Sequence, residues 1–274
     1  KARDKSAPQV PIIQHPDVRR MLMLMKSYVE GMRSILYYMG LCNDKVGIAS
    51  DDQEREKYQG LIELLTPIAK GYVTDKSFDV CSMAIQVFGG YGYIKDYPVE
   101  QLLRDSRITM IYEGTNGIQA MDLVGRKLGQ RKGQNLMELM QEVQATIDRA
   151  KQSENLQSIA QKLENTVYKL GDVAKKLGER FGAGELETGF SHAYPFMDAF
   201  GDVVLGWMLL WRAAVASEQL AKGSSKKHHA FYTGQIKSAE FFCHTILPQT
   251  MGKLQDTENC DPAAVDIPEA GFGG

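Results

Sequence analysis

From Tyr194 to Leu220 the chain is apolar on almost every face of the helix that its spacing predicts. An amphipathic helix can lie on a core, but one without a polar face has to be surrounded. Left exposed, such a helix loses about 25 cal/mol for each Å² of apolar surface in water. Its densest apolar run, Val203 to Val215, carries Arg212 and falls short of the ~20 residues that a bilayer core requires. The segment therefore reads as the buried centre of a helical bundle, with no membrane span. With no signal peptide visible, a cytoplasmic location is expected.

Its neighbours are legible as faces. Leu136, Leu139, Met140, Val143 and Ile147 form one stripe, and Leu156, Ile159, Leu163, Val167, Leu170, Ala174 and Leu177 form another. Ala230 to Ile246 gives a last helix before Pro248. These three and the apolar helix predict a four-helix core with no catalytic group. His192 and Asp198 read as caps of the central helix.

Upstream, Pro16 and Asp17 suit the first turn of a helix. That helix is expected to run to about Gly40, followed by a polar loop over 43–57. A second helix, Gln59 to Phe88, contains Pro67 and is expected to kink there. Gly89, Gly90 and Gly92 end it. A short helix follows from Pro98 to Leu103, then a glycine-bearing loop, then a helix from Asn116 to Leu128. No strand alternation finds a partner. The fold class expected is all-α, as two adjoining bundles. Residues 1–14 form an extended lead-in, 15–130 the first bundle, 135–255 the second after a linker at Gly129 to Gln134, and 256–274 a fraying polar tail.

Charge and cysteines narrow the function. Thirty-two basic against thirty-four acidic residues leave a net charge of −2, which disfavours nucleic acid as the main partner. Cys42, Cys81, Cys243 and Cys260 have no CxxC pairing and read as free thiols. His228 and His229 are adjacent, so on a helix they diverge and make a poor metal clamp; no metal is expected.

Two stretches stand apart from generic helix. Gln86-Val87-Phe88-Gly89-Gly90-Tyr91-Gly92-Tyr93 ends a helix in glycines, where a ligand can approach the backbone. Ile111-Tyr112-Glu113-Gly114-Thr115-Asn116-Gly117-Ile118-Gln119 puts a carboxylate on a tight turn, with Thr115 as a cap for the helix beyond. Between them lie Tyr97-Pro98-Val99-Glu100 and Arg104-Asp105, the last two read as an ion pair or capping pair.

Taken together, Ala84 to Gln119 closely resembles the C-terminal signature of the acyl-CoA dehydrogenase family: its Gln-x-Phe-Gly-Gly-x-Gly-Tyr, Tyr-Pro-Val-Glu, Arg-Asp-x-x-Ile and Ile-Tyr-Glu-Gly-Thr blocks, in order. The resemblance covers about residues 12–128. The second bundle is similar to the helical extension of a larger subgroup that includes 3-methylmercaptopropionyl-CoA dehydrogenase-like enzymes.

The resemblance implies oxidation of an acyl-CoA thioester to the trans-2-enoyl-CoA. The family's base falls on Glu113, and a β-hydride leaves for FAD. Gln86, Gly89 and Gly90 fall on positions contacting the FAD of a neighbouring subunit, and Thr115 on one near the flavin nucleotide. Gly117 stands where many relatives have Gln in a cofactor contact. Tyr112 and Gly114 are expected to line the substrate. Physically, an α-C–H is too weak an acid for a carboxylate in water, so donors must meet the developing enolate charge; the resemblance implies that the backbone N–H of Glu113 is one, beside a ribityl hydroxyl of FAD.

The resemblance also implies parts not seen here: an N-terminal helical domain, a middle β-domain and an upstream Arg-x-Gln motif. The chain, which begins at Lys1, is therefore expected to be a fragment, inactive alone and poor at holding FAD. A homo-oligomer, dimer or tetramer, is expected, with an electron-transfer flavoprotein as a candidate acceptor. The competing reading is a non-catalytic helical assembly or interaction domain on the same scaffold.

Overall fold

The computed structural model describes residues 8–223 and 225–273, with the backbone alone for 226 and 227. Every regular element among the described residues is helical. Of the expected lead-in, residues 1–7 lie outside the described residues; Ile12–Gln14 make one 3₁₀ turn.

Helix α1 spans Pro16–Ile48. It runs past Gly40 because the apolar stripe continues: Tyr38 and Cys42 are both buried. Burial there offsets the ~1 kcal/mol that an interior glycine costs. The loop expected over 43–57 shrinks to three residues, 49–51. Its polar residues are caps rather than linkers. Asp51 accepts from the Glu54 N–H at 2.8 Å, and Glu54 accepts from the Ser50 N–H at 2.9 Å. This pairing satisfies the Glu54 N–H in the first turn of α2, Asp52–Pro67, and the Ser50 N–H just before it.

Pro67 does not break the chain. A wide π-type turn, Ile68–Tyr72, follows and leads directly into α3, Val73–Phe88. Proline removes one donor, and the wider turn absorbs the mismatch. Helices α4, Val99–Ile108, and α5, Asn116–Asp122, complete the first half, with a second π-type turn at Leu123–Lys127.

The second half contains α6, Gln134–Lys151; α7, Gln157–Gly182; α8, Leu186–Ser191; α9, Ala193–Ala221; α10, Lys226–Thr245; α11, Leu247–Asn259; and α12, Ala263–Asp266. Pro248 opens α11 rather than ending the bundle, and Leu254 and Thr257 are buried beneath it. The tail expected to fray from 256 thus begins inside a packed helix.

Helix α9 is the apolar segment, and it is enclosed. By length and composition it could cross a membrane, but helices α1, α5, α6, α7, α10 and α11 pack around it. Phe196, Phe200, Leu205 and Trp207 are sealed from solvent, and the Trp207 indole N–H donates to Thr146 Oγ1 at 2.8 Å. At Gly201 the helix crosses Tyr72 so closely that a Cβ would lie 2.1 Å from the ring. The expected four-helix core is therefore larger, because α1 from the first half and α11 also close on α9. One apolar core runs through both halves, from Tyr28 to Leu254.

Candidate functional site

The site is built on the loop between α4 and α5. The Asn116 N–H donates to the Met110 carbonyl at 3.1 Å and closes it. Inside, Glu113 has φ +53° and Gly114 has φ +88°, two left-handed residues in succession. Glycine adopts this region freely, whereas for glutamate it costs roughly 1–2 kcal/mol. Such a conformation persists only where its surroundings impose it.

Those surroundings come from the π-type turn after Pro67. Lys70 Nζ donates to the Gly114 carbonyl at 2.8 Å and to Asn116 Oδ1 at 2.7 Å. Asn116 is 4% exposed, and its Nδ2 lies 2.9 Å from the Gly71 carbonyl and 2.8 Å from Asp75 Oδ1. Thr115 caps α5, its hydroxyl accepting from the Ile118 N–H at 3.4 Å. Gly117 sits half-buried in the first turn beside it. Tyr112, Glu113 and Gly114 face solvent. The N–H groups of Glu113, Gly114 and Thr115 make no hydrogen bond among the described residues. A carboxylate on a stiff turn, with free donors beside it, can accept a proton from carbon while a neighbouring N–H meets charge on an adjacent oxygen.

The glycine cluster lies elsewhere. Gly89, with φ +62°, ends α3, and Gly92 packs back on the Ile85 carbonyl. A Cβ at Gly89 or Gly90 would meet nothing within 4 Å, and Gln86 is exposed. The space above Gly90 is thus open to something from outside. The Glu113 loop sits at the start of α3 and the glycines at its end, ~24 Å apart along sixteen residues. One chain does not bring the two together.

Arg104 and Asp105 do not form the expected pair. Both are exposed and line a cleft of about 910 Å³ with Phe78 and Ile108. Around the site, Phe88, Tyr91, Tyr93, Leu102, Ile108 and Tyr112 stand largely in solvent.

Asp198 is not a cap. It bridges Lys76 at 2.8 Å and Lys253 at 2.6 Å. Burial would raise its carboxyl, but the two ammonium groups outweigh this and hold it below the usual range. Asp202, fully buried, takes Lys253 at 2.6 Å, the Tyr72 hydroxyl at 2.7 Å and Thr250 at 2.9 Å; burial, with Asp198 adding, pushes its carboxyl up. His192 occupies the first position before α9 but caps nothing with its ring, which faces Ser191 Oγ and the Thr188 carbonyl. His228 and His229 are exposed, and the four cysteines are free.

Sequence reasoning missed Lys70, Asp75 and Tyr194. The Tyr194 hydroxyl donates to Asp75 Oδ2 at 2.5 Å, and burial followed by this bond raises its pKa. The only available signal was Asp75, an acid on the buried side of a helix.

Residues 1–128 match the family model described as acyl-CoA dehydrogenase, C-terminal domain, and residues 139–268 the one described as acetyl-CoA dehydrogenase C-terminal like. The chain is 30% identical to a broad-specificity linear acyl-CoA dehydrogenase of Mycobacterium tuberculosis, over 98% of this chain and 45% of the relative. It is 34% identical to the 3-methylmercaptopropionyl-CoA dehydrogenase of Ruegeria pomeroyi, over 87% of this chain and 40% of that one. In fold it is similar to an acyl-CoA dehydrogenase from Bacillus anthracis solved with FAD, with a TM-score of 0.68, 18% identity, and coverage of 98% of this chain and 45% of that one. The chain thus spans less than half the length of these relatives.

Proposed function

Because this chain belongs to the acyl-CoA dehydrogenase family, we propose that it forms the C-terminal helical region of an FAD-dependent acyl-CoA dehydrogenase in which Glu113 is the base. The observation that carries the reading is the left-handed Glu113, presented to solvent beside three N–H groups that make no hydrogen bond among the described residues. Chain segments that its relatives hold outside the matched region complete the pocket, and a homo-oligomer brings a second copy to the glycine cluster.

Residues of this chain fit the cofactor. Gly89 and Gly90 leave open backbone at a helix end, where a Cβ would occupy free space rather than protein. Gln86, Gly89 and Gly90 would hold the adenine-diphosphate part, and Thr115 with Gly117 the part nearest the base. FAD, when bound, supplies a hydride acceptor.

The chain's own work is proton transfer. Glu113 takes the α-proton of the thioester, and its backbone N–H donates to the thioester oxygen as negative charge develops there. Tyr112 and Gly114 border the acyl chain. Bound substrate displaces water from the turn, so the carboxylate meets the α-proton directly.

Replacing the base tests this directly. In the whole protein, Glu113→Gln is expected to lower acyl-CoA turnover by at least ~10²-fold with flavin still bound. Turnover within about tenfold of wild type would remove Glu113 from the mechanism and favour a scaffold role.

A further inference from the structure

We propose that Lys70, Asn116, Asp75 and Tyr194 act as positioning residues, bracing the Glu113 turn against helix α9 of the second half. The proposal rests on the functional reading above and deepens it, by giving the second half a part in the reaction without a catalytic group of its own.

The links form one directed path. The Tyr194 hydroxyl donates to Asp75 Oδ2, and Asp75 Oδ1 accepts from Asn116 Nδ2. Asn116 Oδ1 accepts from Lys70 Nζ, and the same ammonium donates to the Gly114 carbonyl, one residue beyond Glu113. Both carboxylate oxygens of Asp75 and both ends of the Asn116 amide are thereby engaged. Asp75 and Asn116 are buried, at 8% and 4% exposure, so an unmade bond there leaves a polar group without water.

Both ends of the path differ in what they need. At the loop end, the left-handed Glu113 stores strain that would relax without a restraint. At the far end, α9 is immobilised by the ion pairs of Asp198 with Lys76 and of Asp198 and Asp202 with Lys253. Lys76 follows Asp75 directly, so the anchor and the brace share α3. The Gly114 carbonyl has no other partner among the described residues. Removing Lys70 therefore frees the peptide next to the base while leaving the apolar core intact. Misplacing a reacting group by about 1 Å can cost ~10²-fold in rate, so the brace is worth a measurable part of kcat.

The test uses the whole protein, with Lys70→Met, Lys70→Arg and Tyr194→Phe beside wild type and Glu113→Gln. Turnover is expressed per bound flavin, and amide exchange is followed in peptides spanning 110–118, where the Asn116 N–H closes the loop. Lys70→Met is expected to lower kcat roughly 10- to 100-fold with KM within about threefold. Lys70→Arg, which keeps a cationic donor, recovers most of the loss. Tyr194→Phe gives a smaller loss of the same kind, and both Lys70→Met and Tyr194→Phe speed exchange in 110–118. Unchanged kcat and exchange, with only a lower melting midpoint, would overturn the brace and leave these residues a packing role. If wild type fails to oxidise acyl-CoA, the functional reading falls; exchange still decides the brace, faster exchange supporting it and unchanged exchange refuting it.

Discussion

Phe196, Phe200 and Trp207 on α9 are sealed from water, whereas Phe88, Tyr91, Tyr93 and Tyr112 stand 48–80% exposed. Both regions are rich in large apolar side chains, but only one is closed by this chain. Helix α9 is enclosed by helices from both halves, with α1 and α5 from the first. The strip from the end of α3 through α5 buries Val99 and Ala120 and leaves most of its other large apolar groups facing outward. At about 25 cal/mol per Å², a strip of that kind is stable in solution mainly when something else covers it. The difference separates a core that this chain closes from a strip that it leaves open.

Trp207→Ala should produce the largest effect on the scaffold side. It opens a cavity in a sealed core and strips Thr146 of its indole donor, costing about 3–5 kcal/mol. Equilibrium unfolding checks this, with kcat per folded molecule unchanged. A loss below ~1 kcal/mol would mean that α9 is less essential than its burial implies.

On the site side the expected signature is inverted. A Cβ at Gly90 meets no atom of this chain within 4 Å, so the effect of Gly90→Val on stability should stay within ~0.5 kcal/mol. Flavin retained after gel filtration of the whole protein should nevertheless fall. Full flavin occupancy in this variant would reduce Gly90 to a turn residue.

The smallest effect concerns how α11 is held to α7. Glu258 lies 2.5 Å from both Lys169 and Lys176, and these hydrogen bonds, Lys169's first, pull its carboxyl down to about 2. Its folded pKa is depressed below an unfolded value of roughly 4.3. The contribution is therefore fully present above that value and lost as the pH falls towards about 2. Wild type should exceed Glu258→Gln in stability near neutral pH, and the two should converge across that acid window. A gap that persists at its lower edge would assign the effect to packing.

How much of this the sequence disclosed follows the same division. The apolar faces of α6 and α7 recur at helical spacing and α9 is apolar nearly all round, so helix identity and the central place of α9 were readable from residues alone. Boundaries were not, where polar residues act as caps. Ser50, Asp51 and Glu54 look like loop and are the start of α2. Pro248 looks like a stop and is a start. The motif residues stood out by type and order, including Glu113 and the cap at Thr115. The brace did not, because Lys70, Asp75 and Tyr194 are ordinary residues on helices and become one path only when α9 packs on the turn Ile68–Tyr72 and the start of α3. Asp198 misled for the same reason: its partners Lys76 and Lys253 are 122 and 55 positions away.

The central claim is that this chain contributes the base to a flavin site which other chain segments complete. Its most direct test is anaerobic mixing of the whole protein with acyl-CoA while the flavin absorbance is recorded. The expected result is a yellow wild type that bleaches on mixing, with a yellow Glu113→Gln that bleaches at least ~10²-fold more slowly. A colourless whole protein, or a Glu113→Gln that bleaches as fast as wild type, would contradict the account.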